Sequence, residues 1–255
     1  MRRGLCLMSS GLLAAGILAA LPLTASANTV SNRICYNNSE HCYATISQGS
    51  DRSVNPVNNT LTNLTRGTAV VKSSCMKEQN THSFVNNEIW LVTSPNPSGP
   101  AYRSANWQPE WLEAGITSGV INGQYLGLSF FWARQYWQSG LYRYAEYWES
   151  GAPSLNTNYT MTIQSYSTYW RILRDGSVKE QPITQQPPGS HMALQAGAEM
   201  VSKYDKEYGT VTGLSYAMNG STYTGWYGYV YRDPSVFVMT ATGPNTLGFQ
   251  TATCP

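Results

Sequence analysis

Apolar and polar residues alternate with period two along most of this chain, and no long stretch keeps its apolar residues at helical spacing, so the pattern predicts an all-β protein. From Gln124 to Gln135, Leu126, Leu128, Phe130 and Trp132 fall on one face and Tyr125, Gly127, Ser129 and Phe131 on the other. Aromatic residues on both faces predict a central strand of a sandwich. Leu141 to Glu149 places Tyr142, Tyr144, Glu146 and Trp148 on one side, and Tyr159 to Tyr166 alternates again. Tyr169 to Lys179 contains Asp175-Gly176, the dipeptide that best supplies a tight hairpin turn. Proline- and glycine-rich stretches at 94–100 and 186–189 end strands, because proline cannot donate to a ladder. The expected architecture is a concanavalin-like jelly-roll sandwich of two mostly antiparallel sheets, with any ligand on a concave face where side chains from several strands converge.

The first residues read as an address. Arg2 and Arg3 precede an apolar run from Gly11 to Leu23, and Ala25-Ser26-Ala27 fits the small-residue cleavage rule. Residues 1–27 are therefore expected to be a signal peptide, the mature chain secreted and extracellular from Asn28, with no membrane attachment after cleavage. Residues 28–85 are more polar, including the Asn-rich stretch from Asn55 to Asn63, and read as an N-terminal extension, a propeptide or outer strands. Residues 86–255 read as the β-sandwich domain, which is expected to be a monomer.

Charge narrows the partners. The chain has sixteen basic and fourteen acidic residues, and loss of Arg2 and Arg3 with the leader brings the two into balance. No basic stripe remains to neutralise phosphates, which argues against a nucleic-acid partner. Four cysteines follow the leader: Cys35, Cys42, Cys75 and Cys254. An even count in an exported chain reads as two disulfides. Of the three connectivities, Cys35 with Cys42 and Cys75 with Cys254 is favoured, a small local loop and a fastening for the C-terminus. His41, His82 and His191 are scattered without paired ligand spacing, so no metal and no cofactor is expected.

Two segments carry the candidate chemistry. Trp111-Leu112-Glu113-Ala114-Gly115 and Leu194-Gln195-Ala196-Gly197-Ala198-Glu199 each set one carboxylate among small residues on a strand. Alternation puts Trp111, Glu113 and Gly115 on one face of the first and Gln195, Gly197 and Glu199 on one face of the second. If the two strands lie side by side, Glu113 and Glu199 form a carboxylate pair, the minimum for acid/base hydrolysis. A glycine beside each carboxylate reads as room for a ligand to approach the backbone. Trp111 and Gln195 flank the same surface as candidate substrate contacts.

These residues resemble a family. Glu113-Ala114-Gly115 resembles the Glu-Ala-Gly element that carries one catalytic glutamate in neprosin-type glutamic peptidases, and Ala196-Gly197-Ala198-Glu199 is similar to the Gly-Gly-Glu element that carries the second. Tyr169-Trp170-Arg171-Ile172 with Asp175-Gly176 resembles that family's tryptophan-bearing strand and hairpin. The related eqolisin peptidases share the jelly-roll idea with a Gln and Glu pair. The chain is equally similar to uncharacterised secreted bacterial β-sandwich proteins with the same elements. The peptidase resemblance implies an acid-acting endopeptidase with Glu113 and Glu199 as its catalytic pair and either one as base.

A different class competes. Trp132, Tyr144, Trp148, Tyr223, Trp226, Tyr227 and Tyr229 are candidate stacking platforms for sugar rings, which would make the protein a non-catalytic binder of polysaccharide or cell wall. The expected substrate or ligand is thus a polypeptide or a polysaccharide. A glycosidase is a lesser reading, since no Glu-x-Asp-x-Glu cluster appears on one strand. Lys203, Asp205, Lys206 and Glu207 read as a solvated turn or strand end.

Overall fold

The computed structural model describes residues 41–48, 64–93, 110–121, 123–138, 141–149, 151–166, 169–179, 192–218, 222–225, 229–232, 236–243 and 245–251. Every regular element among them is a strand: β1 (Cys42–Gln48), β2 (Leu64–Lys77), β3 (Phe84–Thr93), β4 (Trp111–Ile121), β5 (Gln124–Tyr125), β6 (Ser129–Gln138), β7 (Leu141–Trp148) and β8 (Tyr159–Tyr166). The chain continues through β9 (Tyr169–Arg174), β10 (Ser177–Val178), β11 (Met192–Met200), β12 (Lys206–Met218), β13 (Thr222–Gly225), β14 (Tyr229–Arg232), β15 (Val238–Gly243) and β16 (Thr246–Gln250).

The strands form two antiparallel sheets, as their alternation predicts. The first runs β14-β1-β11-β3-β4-β6-β7 with β5 paired to β4, and the second runs β10-β9-β8-β2-β12-β16-β15 with β13 paired to β12. The chain passes repeatedly from one sheet to the other, the jelly-roll habit. Between the sheets lies one core, built from Ile46, Ile89, Leu91, Leu112, Ile116 and Leu194 on the first sheet and Val71, Ile163, Ile172, Val211, Leu247 and Phe249 on the second. Burying each such side chain contributes roughly 1.5–3 kcal/mol. Asn87 also points inward, and its amide donates to the carbonyls of Lys72 at 3.1 Å and Thr210 at 3.4 Å, tying β3 to two strands of the opposite sheet.

The Asp175-Gly176 turn forms where expected. It joins β9 to β10 with both residues in the left-handed region, at φ 50° and 78°, which a two-residue hairpin requires. As far as they are described, residues 28–85 contribute strands to the sandwich, one of the readings left open above: β1 pairs with β11 and β2 lies mid-sheet between β8 and β12. Two expectations change. Gln124 to Gln135 is not one strand; it breaks into β5 and β6 across Gly127, at φ 68°. Glu207 is not in a solvated turn: alternation along β12 turns it into the interior with Gly209 and Val211, and it is fully buried.

The leader 1–27, the segments 94–100 and 186–189, Cys35, Cys254 and His191 lie outside the described residues.

Candidate active site

Strand register assembles the site on the face of the first sheet that turns away from the core. On β3 that face carries Asn86, Glu88 and Trp90, because Val85, Asn87, Ile89 and Leu91 point inward. The rung through Glu88 reads Thr45, Gly197, Glu88, Gly115, Phe131 and Trp148. One step toward the end of β3 the rung reads Ser47, Gln195, Trp90, Glu113, Ala133 and Glu146, and one step toward its start it reads Tyr43, Glu199, Asn86, Thr117 and Ser129.

Glu113 and Glu199 therefore share a face, but their strands are not neighbours. β3 runs between them and supplies a third carboxyl, Glu88, diagonal to both. The three carboxyls lie within 4.8 Å of one another. Glu88 is 0% exposed, and Glu113 and Glu199 are 6% each.

The glycines of the two sequence elements make this arrangement possible. Gly115 and Gly197 are the direct cross-strand neighbours of Glu88 on its two sides. A Cβ at 115 would stand 2.5 Å from the Glu88 Cβ and 2.3 Å from the Asn87 carbonyl oxygen. A Cβ at 197 would stand 2.0 Å from the Ala44 carbonyl oxygen, and Gly197 sits at φ 145°. The missing side chains thus fit the close packing of β1, β3 and β4 around Glu88, where the sequence suggested room for a ligand.

Hydrogen bonding distinguishes the two outer carboxylates. Glu199 Oε1 accepts from the Tyr43 hydroxyl at 2.8 Å and also meets His41 Nδ1. Glu113 Oε2 accepts from the Trp90 indole N–H at 2.9 Å. Burial, followed by the charges of Glu199 and Glu146, pushes the Glu113 carboxyl well above the usual carboxylate range, and the Trp90 bond offsets only part of that. Burial, then the charges of Glu113 and Glu199, does the same to Glu88. Tyr43 is raised well above the ordinary phenol value by burial and by Glu199, so it stays a donor. Burial lowers His41, but the hydrogen bond and charge of Glu199 together outweigh it and the net shift is upward. The His41 ring packs edge-on against Phe84 with centroids 5.4 Å apart.

Three carboxyls this close have oxygens enough to approach a cation. Beside them, Asn86 Oδ1 is buried without a hydrogen-bond partner among the described residues, while His41 is engaged by Glu199.

Most of the substrate-contact candidates share this face. Gln195 lies on the rung of Glu113. Trp111 packs edge-on against Tyr144 with centroids 5.7 Å apart. Tyr144 is 55% exposed and Trp148 42%. Phe131 and Ala133 form a small apolar floor there with Trp111 and Leu126. Trp132 does not join them: its position on β6 turns it into the core, where it stacks on Tyr147 with centroids 4.1 Å apart. Tyr223 belongs to β13 in the second sheet, paired with Arg66, and Trp226 and Tyr227 lie outside the described residues. Glu88, Trp90, Tyr43, His41 and Glu146 are site residues the sequence elements did not single out.

No protein-family model and no curated protein matches the chain. Among solved structures it is similar to scytalido-glutamic peptidase with a transition state analog inhibitor, at 9% identity and a TM-score of 0.49 over 84% of this chain and 99% of that one. It is also similar to SCP-B, a member of the eqolisin family of peptidases, in complex with the tripeptide Ala-Ile-His (12% identity, TM-score 0.42, 83% and 98% covered). A glycoside hydrolase family 16 endo-glucanase from Bacteroides ovatus matches at 11% identity and a TM-score of 0.38, over 62% of this chain and 66% of that one. These scores carry no assignment of activity, and the site is read from its own residues.

Proposed function

We propose that the protein is an acid-acting endopeptidase of the glutamic type, in which Glu199 is the base and Glu113 the acid. The observation that supports this reading is the unequal hydrogen bonding of two close, buried carboxyls. Tyr43 and His41 both meet one oxygen of Glu199, which is thereby held as an acceptor. Glu113, buried beside that charge with one indole donor, favours its proton.

The roles follow. Glu199 takes a proton from water as the water oxygen bonds to the peptide carbonyl carbon. The protonated Glu113 donates a hydrogen bond to the carbonyl oxygen as it gains negative charge. When the C–N bond breaks, the amine leaves with the proton Glu199 had taken, and the carboxylic acid product leaves the pair as it began. Trp111, Gln195, Tyr144 and Trp148 are placed to hold the polypeptide along the same face. The test is cleavage of an unfolded protein at acid pH by the purified mature chain, beside the variants Glu113→Gln and Glu199→Gln. Loss of cleavage in both variants is expected, and no cleavage by wild type defeats the reading.

A second reading is a non-catalytic polysaccharide binder. The exposed rings of Tyr144 and Trp148 on the site face support it. It predicts retention on a polymer column that Tyr144→Ala and Trp148→Ala weaken and Glu113→Gln leaves intact.

The leader pattern in 1–27 and the four remaining cysteines support export of a chain that begins near Asn28, with Cys35–Cys42 and Cys75–Cys254 disulfides. N-terminal sequencing and peptide mass mapping without reductant test both.

A further inference from the structure

The reaction above leaves one of the site's three carboxyls without a task. Glu88 is sealed from solvent, and neither of its oxygens accepts a hydrogen bond of ordinary geometry from an N–H or O–H group among the described residues. Asn86 on its own strand and Glu199 on β11 are the side chains near enough to share a hydrogen bond with it. Among the described residues, the titratable groups around it are Glu113 from β4 with Glu146 beyond it on β7, Glu199 from β11, and Tyr43 and His41 from the β1 side. No lysine or arginine is among them. An ionised Glu88 would be an uncompensated buried charge beside that of Glu199, a costly arrangement for a protein to hold. On the β4 side, Gly115 packs directly against the Glu88 Cα and Cβ.

We propose that Glu88 is a positioning residue: it remains a neutral carboxylic acid and donates its proton as a hydrogen bond to Glu199, which keeps the negative charge of the reactive pair on Glu199 and off Glu113. It touches neither water nor substrate. The inference rests on the glutamic-peptidase reading for its kinetic consequence, but its physical content, a buried protonated carboxyl, stands apart from any activity.

Infrared spectroscopy of the folded protein across pH, with Glu88→Gln as control, tests that content directly. A component of the carboxylic-acid carbonyl absorption that persists at neutral pH and is lost in Glu88→Gln, with any contribution of Glu113 and Glu207 left in place, is expected; absorption unchanged by the substitution overturns the proposal whether or not the protein cleaves peptides. Glu88→Gln and Glu88→Met then separate donor from filler in the kinetics, because glutamine keeps an N–H donor and methionine does not. Glu88→Met is expected to move the acid limb of the kcat/KM profile up by about one to two pH units, the loss of one hydrogen bond to a charged group, with little change in KM. Glu88→Gln is expected to restore most of the wild-type profile. An acid limb that stays put in a folded Glu88→Met, or one displaced equally in both variants, overturns the proposal. If Glu88→Met does not fold, the infrared comparison with Glu88→Gln decides alone.

Discussion

Glu88 and Gly115 are direct cross-strand partners on β3 and β4, and their strands approach so closely there that a methyl group at 115 would collide with the Glu88 Cβ and with the backbone of Asn87. Gly197 does the corresponding service on the other side, against Ala44. The short elements Glu-Ala-Gly and Gly-Ala-Glu are therefore two walls around one carboxyl, each carrying its own carboxyl one rung away. Alanine at either glycine should cost about 1–3 kcal/mol from overpacking, more at 197, where φ 145° adds backbone strain. Urea unfolding midpoints of Gly115→Ala and Gly197→Ala measure it, and midpoints equal to wild type contradict the packing described.

The two faces of the β6–β7 pair should separate stability from binding. Trp132→Ala empties a buried site stacked on Tyr147 and should cost about 3–5 kcal/mol. Trp148→Ala, on an exposed edge-strand ring, should change stability by no more than about 0.5 kcal/mol. If peptide lies along this face, the Trp148 variant raises KM. Equal losses of stability in both would contradict the assignment of Trp132 alone to the core.

Tyr43 and His41 hold the same oxygen of Glu199, so removing either takes a hydrogen-bond partner from the carboxylate that acts as base. Tyr43→Phe is expected to move the acid limb of the activity profile up by about one pH unit. His41→Ala should act in the same direction. The pH dependence of kcat/KM in the two variants checks this, and an acid limb displaced downward would contradict it.

Glu207 gives the fold its own pH dependence. It lies in the core with neither oxygen hydrogen-bonded among the described residues, and burial, with the charges of Asp205 and Glu199 added, raises it well above the usual range. A group whose pKa is higher in the folded state than in the unfolded chain contributes stability below its unfolded pKa and loses it as pH rises through the folded value. The protein should therefore be most stable in acid and weaken toward neutral pH, and Glu207→Gln should flatten that decline. Thermal midpoints from about pH 4 to 8 test the sign; a wild-type midpoint that rises over this range contradicts it.

How far the sequence reveals the site can be seen residue by residue. Period-two alternation correctly places Glu113 with Trp111 and Gly115, and Glu199 with Gln195 and Gly197, because each strand has one face of small apolar residues that only a core accepts. The same alternation runs through Asn86, Glu88 and Trp90, but it lies at the junction of a polar stretch, and three consecutive polar residues, Asn86, Asn87 and Glu88, hide it. All three are buried, Asn87 toward the second sheet and the others toward the site. Periodicity within a strand also says nothing of strand order, so the insertion of β3 between β4 and β11 is invisible until the sheet is built. His41 is a lone histidine in sequence and reaches Glu199 only through the pairing of β1 with β11. Glu207 misleads because its neighbours Lys203, Asp205 and Lys206 suggest solvent, while alternation along β12 turns it inward.

The pH profile of peptide hydrolysis, measured with wild type and with Glu113→Gln and Glu199→Gln on one unfolded protein substrate, bears on the central claim most directly. Glu113 must be protonated to act as the acid, so activity should fall as pH rises through its elevated pKa. A bell-shaped acid profile in wild type, with activity lowered by at least about a hundredfold in each variant, is the expected result. Full activity in either variant, or no hydrolysis by wild type anywhere between about pH 2 and 7, would contradict a paired-glutamate mechanism.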